Sequence, residues 1–97
     1  MHGRLIKFHV KFGKSDEFLR LYQEQVIPAL QGQAGFAEIS IGLNEDHGRA
    51  VSLVMFESLE DLIATERDGW LAAQVSKAMP LLDYPPQIEH YTMSIRV

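Results

Sequence analysis

The sequence predicts an α+β domain: a ferredoxin-like β-α-β-β-α-β sandwich, with two helices on one face of a four-stranded antiparallel sheet. Three observations predict it. The hydrophobic period switches from two to 3.6 and back along the chain, with turn residues at each join. Four segments read as strands at a period of two, and two carry apolar stripes at helical spacing. The chain has 97 residues, the size of one domain with one core. Residues 1–97 therefore read as a single unit.

The first strand is predicted over Arg4–Phe12. Ile6, Phe8, Val10 and Phe12 share one face, and Lys7, His9 and Lys11 the other. Gly13-Lys14 ends it. Ser15 suits a helix N-cap, and Asp16 and Glu17 follow where the helix dipole favours acids. Phe18, Tyr22, Val26 and Leu30 then repeat at i+4 in a helix running to about Gln33. Pro28 removes a backbone donor inside this pattern and should bend the helix, or end its regular part near Ile27. Gly35 closes the segment.

The second strand is predicted over Phe36–Leu43, with Ala37, Ile39, Ile41 and Leu43 on one face. The loop 44–48 is a hairpin connection to a third strand, Arg49–Phe56. Both faces of that strand are apolar, as in a central strand covered on two sides. Val51, Leu53 and Met55 are assigned to the helix-covered face. Ser58 and Asp61 resemble a capping box, with Asp replacing Glu or Gln. The helix they start is interrupted at Asp68-Gly69 and resumes from Trp70 to about Leu82. Asp83-Tyr84-Pro85-Pro86 is an extended lead-in. The fourth strand is predicted over Ile88–Val97, with Tyr91, Met93, Ile95 and Val97 toward the helices.

On the face away from the helices the prediction sets Leu5, Phe36, Val54 and Phe56 among Lys7, His9, Glu38, Ser52 and His90. Such a half-apolar sheet face calls for a cover. A second copy related by a two-fold axis covers it with one self-complementary surface. A homodimer through the non-helix sheet face is therefore expected.

Composition excludes several classes of function. Hydrophobic residues are 46% and charged residues 23% of the chain, as in an ordinary globular domain. The net charge is −4 and the bases are scattered, which argues against nucleic acid and anionic membranes as partners. No apolar run approaches the ~20 residues of a membrane span. No signal-peptide pattern is visible, and a cytoplasmic location is expected. There is no cysteine, so disulfides, thiolate zinc sites, iron–sulfur clusters and cysteine nucleophiles are excluded. No phosphate loop, nucleophile elbow or paired histidines on one helix turn are present.

Two stretches resemble a known family. Val26-Ile27-Pro28-Ala29-Leu30-Gln31-Gly32-Gln33-Ala34-Gly35-Phe36 is similar to the passage from helix 1 to strand 2 in antibiotic biosynthesis monooxygenase domains. Phe56-Glu57-Ser58-Leu59-Glu60-Asp61-Leu62 resembles their aromatic–acidic–Ser segment, with Phe56 where the family usually has Trp. Pro85-Pro86 before a strand containing Tyr91 also fits. The resemblance implies a dimeric α+β barrel with a pocket between each sheet and its helices. Some members oxidise aromatic substrates with O₂ and without metal or flavin, so no cofactor and no metal are expected. A haem-cleaving branch uses a Trp and a His on helix 2. The corresponding positions here fall near Ala64 or Thr65 and near Gln74. No histidine lies between His47 and His90, so an axial imidazole is missing.

The candidate catalytic residues are Tyr22, Trp70, His9 and His90. Trp70, the sole tryptophan, serves either as a wall stacking on a planar substrate or as a plug restarting the helix. Tyr22 donates to a substrate oxygen, or reaches water at the helix edge. His9 and His90 are expected on one face of neighbouring strands, ~5 Å apart at Cβ. There they form a proton relay, two ligands of a metal site with Glu38, or polar filler. Phe8, Tyr22, Met55, Trp70 and Met79 are expected to bind the substrate, with the methionines supplying adaptable apolar surface or plain core. The expected function is a cofactor-independent monooxygenase-like enzyme acting on a small planar phenolic or quinone-like molecule. The alternative is a dimeric small-molecule carrier or sensor without catalysis.

Overall fold

A computed structural model describes residues 1–97. The elements are β1 His2–His9, α1 Ser15–Leu21, a π-helical turn Tyr22–Val26, α2 Ile27–Gln31, β2 Phe36–Asn44, β3 Arg49–Phe56, α3 Leu59–Arg67, α4 Trp70–Ala78 and β4 Gln87–Thr92. The strands form one antiparallel sheet in the order β2-β3-β1-β4. This is the predicted α+β ferredoxin-like topology.

Helix 1 is continuous in space but not in hydrogen bonding. Its middle turn widens, and the Ile27 N–H donates to the Tyr22 carbonyl, five residues back. The widening lies immediately before Pro28. That residue has no N–H to give, and in a regular helix its ring presses on the carbonyl four residues earlier. The proline therefore does not end the helix, which runs on to Gln31.

The start of α3 follows the predicted cap. The Asp61 N–H donates to Ser58 Oγ at 3.2 Å, and the Ser58 hydroxyl donates back to the Asp61 carboxylate at 2.9 Å. Gly69, at φ 83°, breaks α3 from α4. The Trp70 N–H donates to Asp68 Oδ1 at 2.9 Å across that break.

The core lies between the sheet and the helices. Phe18 is fully buried and meets Phe8 edge-on, with ring centroids 4.9 Å apart. Tyr22 closes the trio, 5.1 Å from Phe18 and 5.9 Å from Phe8. Val26, Leu30, Leu62, Leu71, Ala78 and Leu82 complete the helical side.

Strand register corrects the predicted faces. Ile6 pairs with Ser52, Phe8 with Ala50 and Arg4 with Val54. Directly opposed residues point to the same side of a sheet, so Ala50, Ser52, Val54 and Phe56 face the helices. Val51, Leu53 and Met55 face away, the reverse of the prediction. Val54 and Phe56, expected on the free face, are core residues. Phe36 also packs against the core. A bulge between Phe36 and Glu38 rephases β2 by one residue, so that Phe36 and Ile39 share a face.

The fourth strand is reversed in the same way. Ile88 pairs with Ile6 and His90 with Arg4. Tyr91 thus points outward, and the strand stops at Thr92. Phe12 lies beyond β1 and is fully exposed. His9 and His90 consequently sit on opposite faces and are not neighbours.

Candidate functional site

The sheet and helices enclose an apolar cavity. Its floor is Ile6, Phe8, Ser52 and Val54 from β1 and β3. Tyr22 and Val26, from the widened turn, form one wall. Trp70, Gln74 and Val75 of α4 form the roof. The space open to the centre of a water-sized sphere is ≈ 20 Å³, sufficient for about one water molecule.

The polar groups of this cavity are few and deeply set. Burial pushes the Tyr22 phenol up to about 12, although the neighbouring Ser52 hydroxyl and Arg4 guanidinium offset part of the rise. Ser52 is 1% exposed, and its hydroxyl, beside the Tyr22 phenol, makes no hydrogen bond of good geometry within the protein. A buried hydroxyl without a partner is costly. Gln74 adds an amide at the roof.

Behind the cavity lies a second polar group. Arg4 is 1% exposed. Its Nη1 donates to Thr65 Oγ1 at 2.7 Å and lies 3.4 Å from the Glu66 carboxylate. Thr65 in turn donates to the Leu62 carbonyl at 2.7 Å. The guanidinium stands over the Phe56 ring, 5.5 Å from its centroid. Its Nε is buried without a partner. Desolvation holds the Arg4 pKa below its ordinary value, against the opposing pull of Glu66.

Of the predicted site residues, the cavity brings together Phe8, Tyr22 and Trp70. Met79 packs against the core without lining the cavity. Met55 is on the far side of the sheet. His90 sits behind the cavity, with Nε2 2.7 Å from Glu66 Oε2. His9 lies on the outer face, with Nδ1 2.5 Å from Asp83 Oδ2, and its ring is 5.2 Å from that of Tyr84. Ser52, Gln74 and Arg4 were not singled out from sequence. Two signals were available: Arg4 has the parity of Ile6 and Phe8, and Ser52 interrupts an otherwise apolar strand.

No protein-family model matches the chain, and no curated protein matches it in sequence. Solved structures do match it in shape. An assigned antibiotic biosynthesis monooxygenase from Bordetella bronchiseptica superposes with a TM-score of 0.81 at 14% identity, covering 97% of each chain. SnoaB, a cofactor-independent oxygenase from Streptomyces nogalater, gives 0.81 at 12% identity, covering 99% of this chain and 95% of that one. A monooxygenase from Streptomyces coelicolor, solved with nanaomycin D, gives 0.74 at 19% identity, covering 99% and 89%. The chain thus has the fold of the antibiotic biosynthesis monooxygenases. That fold hosts more than one chemistry.

Proposed function

We propose that this protein is a cofactor-independent monooxygenase-like enzyme acting on a small planar phenolic or quinone-like substrate. One observation carries the reading: an apolar cavity between sheet and helices that has a phenol in its wall and an indole at its roof. An aromatic guest slides between Phe8 and Trp70, and the Tyr22 hydroxyl faces its oxygen. The deprotonated substrate is the electron donor to O₂. One oxygen atom enters a ring carbon, and the other leaves as water with the two hydrogens that the substrate loses. The dry walls strengthen any hydrogen bond offered to the substrate anion.

A ring system needs more than one water's room, so the roof has to lift on entry. Gly69, where a Cβ would meet nothing, and the short turn Met79–Leu81 flank α4 and provide its two pivots. Oxygen uptake tests the proposal. Naphthols and quinols should give consumption above their spontaneous autoxidation, and a rate equal to the protein-free control argues against it.

Assembly is part of the proposal. The outer sheet face carries Leu5, Val51, Leu53, Met55 and Tyr91. Gly3 has no side chain where Met93 and Leu53 close over it. Val51 is 41% and Tyr91 48% exposed. A second copy laid on this face would cover them. A non-catalytic carrier is the second reading. It is favoured by the lining itself, in which 10 of 12 residues are hydrophobic.

A further inference from the structure

We infer that Ser52 is a ligand-binding residue: with the Tyr22 hydroxyl, it holds the acidic hydroxyl of a phenol or enol at the floor of the cavity, facing the Arg4 charge. The inference rests on the cavity being a ligand site, and not on any oxidation taking place there.

Ser52 occupies a position where an apolar residue would serve the fold better. It lies between Val51 and Leu53 in β3, opposite Ile6, and its immediate neighbours on the same face are Ala50 and Val54. A serine there is desolvated. Its Oγ makes no hydrogen bond of good geometry within the protein, and its nearest polar neighbour is the Tyr22 hydroxyl. Buried polar groups normally find a partner in the protein or in ordered water. Ser52 is part of the cavity lining, so a group entering the cavity can complete the bonding of its hydroxyl beside Tyr22.

The second orphan is in the same layer. Arg4 Nε is also buried and unpartnered, and Arg4, opposite Val54, is the next residue of β1 on the same face as Ile6. Its charge acts on Tyr22 across the core. The cavity thus has an apolar body and one polar end, made of a serine that both donates and accepts, a phenol that donates, and a cation behind them. The space beside them fits one oxygen atom with its shell, as a water or as the hydroxyl of a larger guest. A guest bringing a hydroxyl replaces that water and keeps its bonds, whereas a hydrocarbon of the same shape leaves Ser52 unsatisfied. The substrate class is therefore a flat, hydroxyl-bearing molecule bound oxygen-first.

Titration calorimetry with 1-naphthol and naphthalene tests this without turnover. The native protein should bind 1-naphthol roughly 5- to 10-fold more tightly than naphthalene. Ser52→Ala should remove most of that preference, weakening 1-naphthol and tightening naphthalene, which no longer strands a hydroxyl. Ser52→Cys keeps the side-chain connectivity with a slightly larger atom and a weaker donor and should fall between, which guards against a folding defect in the alanine variant. Equal affinity for the two probes, an unaltered preference in Ser52→Ala, or no binding of either overturns the inference. A hydroxyl preference that depends on Ser52, found without oxygen uptake, leaves the inference standing and removes the oxygenase reading.

Discussion

His90 Nε2 lies 2.7 Å from the Glu66 carboxylate oxygen that also faces Arg4 Nη1 at 3.4 Å. The edge strand β4, the central strand β1 and helix α3 are thereby joined through one carboxylate. Glu66 is the anion nearest a guanidinium that is almost wholly removed from water. Removing one partner of a buried pair costs far more than the pair itself contributes, because the remaining charge is stranded.

Glu66→Ala should destabilise the protein by about 1–3 kcal/mol, the low side reflecting partial exposure of the carboxylate. Thr65→Val should cost a similar amount, because it deletes the closest acceptor for Arg4 while keeping the side-chain shape. Urea unfolding measures both. A change below about 0.5 kcal/mol in each would show that Arg4 finds other partners.

Stability should fall steeply above pH 10, in part because of Tyr22. In the unfolded chain its phenol ionises near 10.0, and in the folded protein near 12. Between those values the unfolded state binds fewer protons than the folded one. Unfolding is therefore favoured by up to about 1.4 kcal/mol per pH unit from this group. Tyr22→Phe should flatten the curve over that window relative to the native protein. Parallel curves would mean that the phenol ionises freely in the folded state.

Gly35 is at φ 75°, and a Cβ there would overlap the Asp61 carboxylate that completes the α3 cap. Gly35→Ala should destabilise by more than about 1 kcal/mol, through backbone strain and loss of the cap together. Gly69→Ala has the same strain but meets open space and should cost less. Thermal melts of the two variants give the order.

Sedimentation should give twice the 11.0 kDa chain mass. Leu53→Lys should shift it toward one chain mass, because Leu53 is on the outer sheet face. Val54→Lys should instead unfold the protein, because Val54 is in the core. A Leu53→Lys protein that stays dimeric would place the interface elsewhere.

Element order and most boundaries were legible because each element carries a local mark. Gly13, the Ser58–Asp61 cap and Asp68-Gly69 all punctuate the chain where periodicity changes. The facing of β3 was not legible from periodicity, because both of its faces are apolar: Val51, Leu53 and Met55 on one, Val54 and Phe56 on the other. The hairpin held the answer. Leu43 pairs with Ala50 across the turn, so an inward Leu43 makes the even-numbered residues of β3 inward. That single parity error displaced Met55, Val54 and Phe56 together. The same kind of error on β4 placed His90 beside His9. The cavity's aromatic members, Phe8, Tyr22 and Trp70, were within reach because they follow helical or strand stripes. Ser52 and Arg4 were not, because a polar residue on an apolar stripe gains meaning only when the groups around it are seen.

A crystal structure of the protein grown with 1-naphthol shows directly whether the cavity takes a hydroxyl-bearing ring. The ring should lie between Phe8 and Trp70, with its oxygen against Ser52 and Tyr22 and α4 moved outward. A closed cavity, with the ligand absent or bound only on the outer surface, would contradict this.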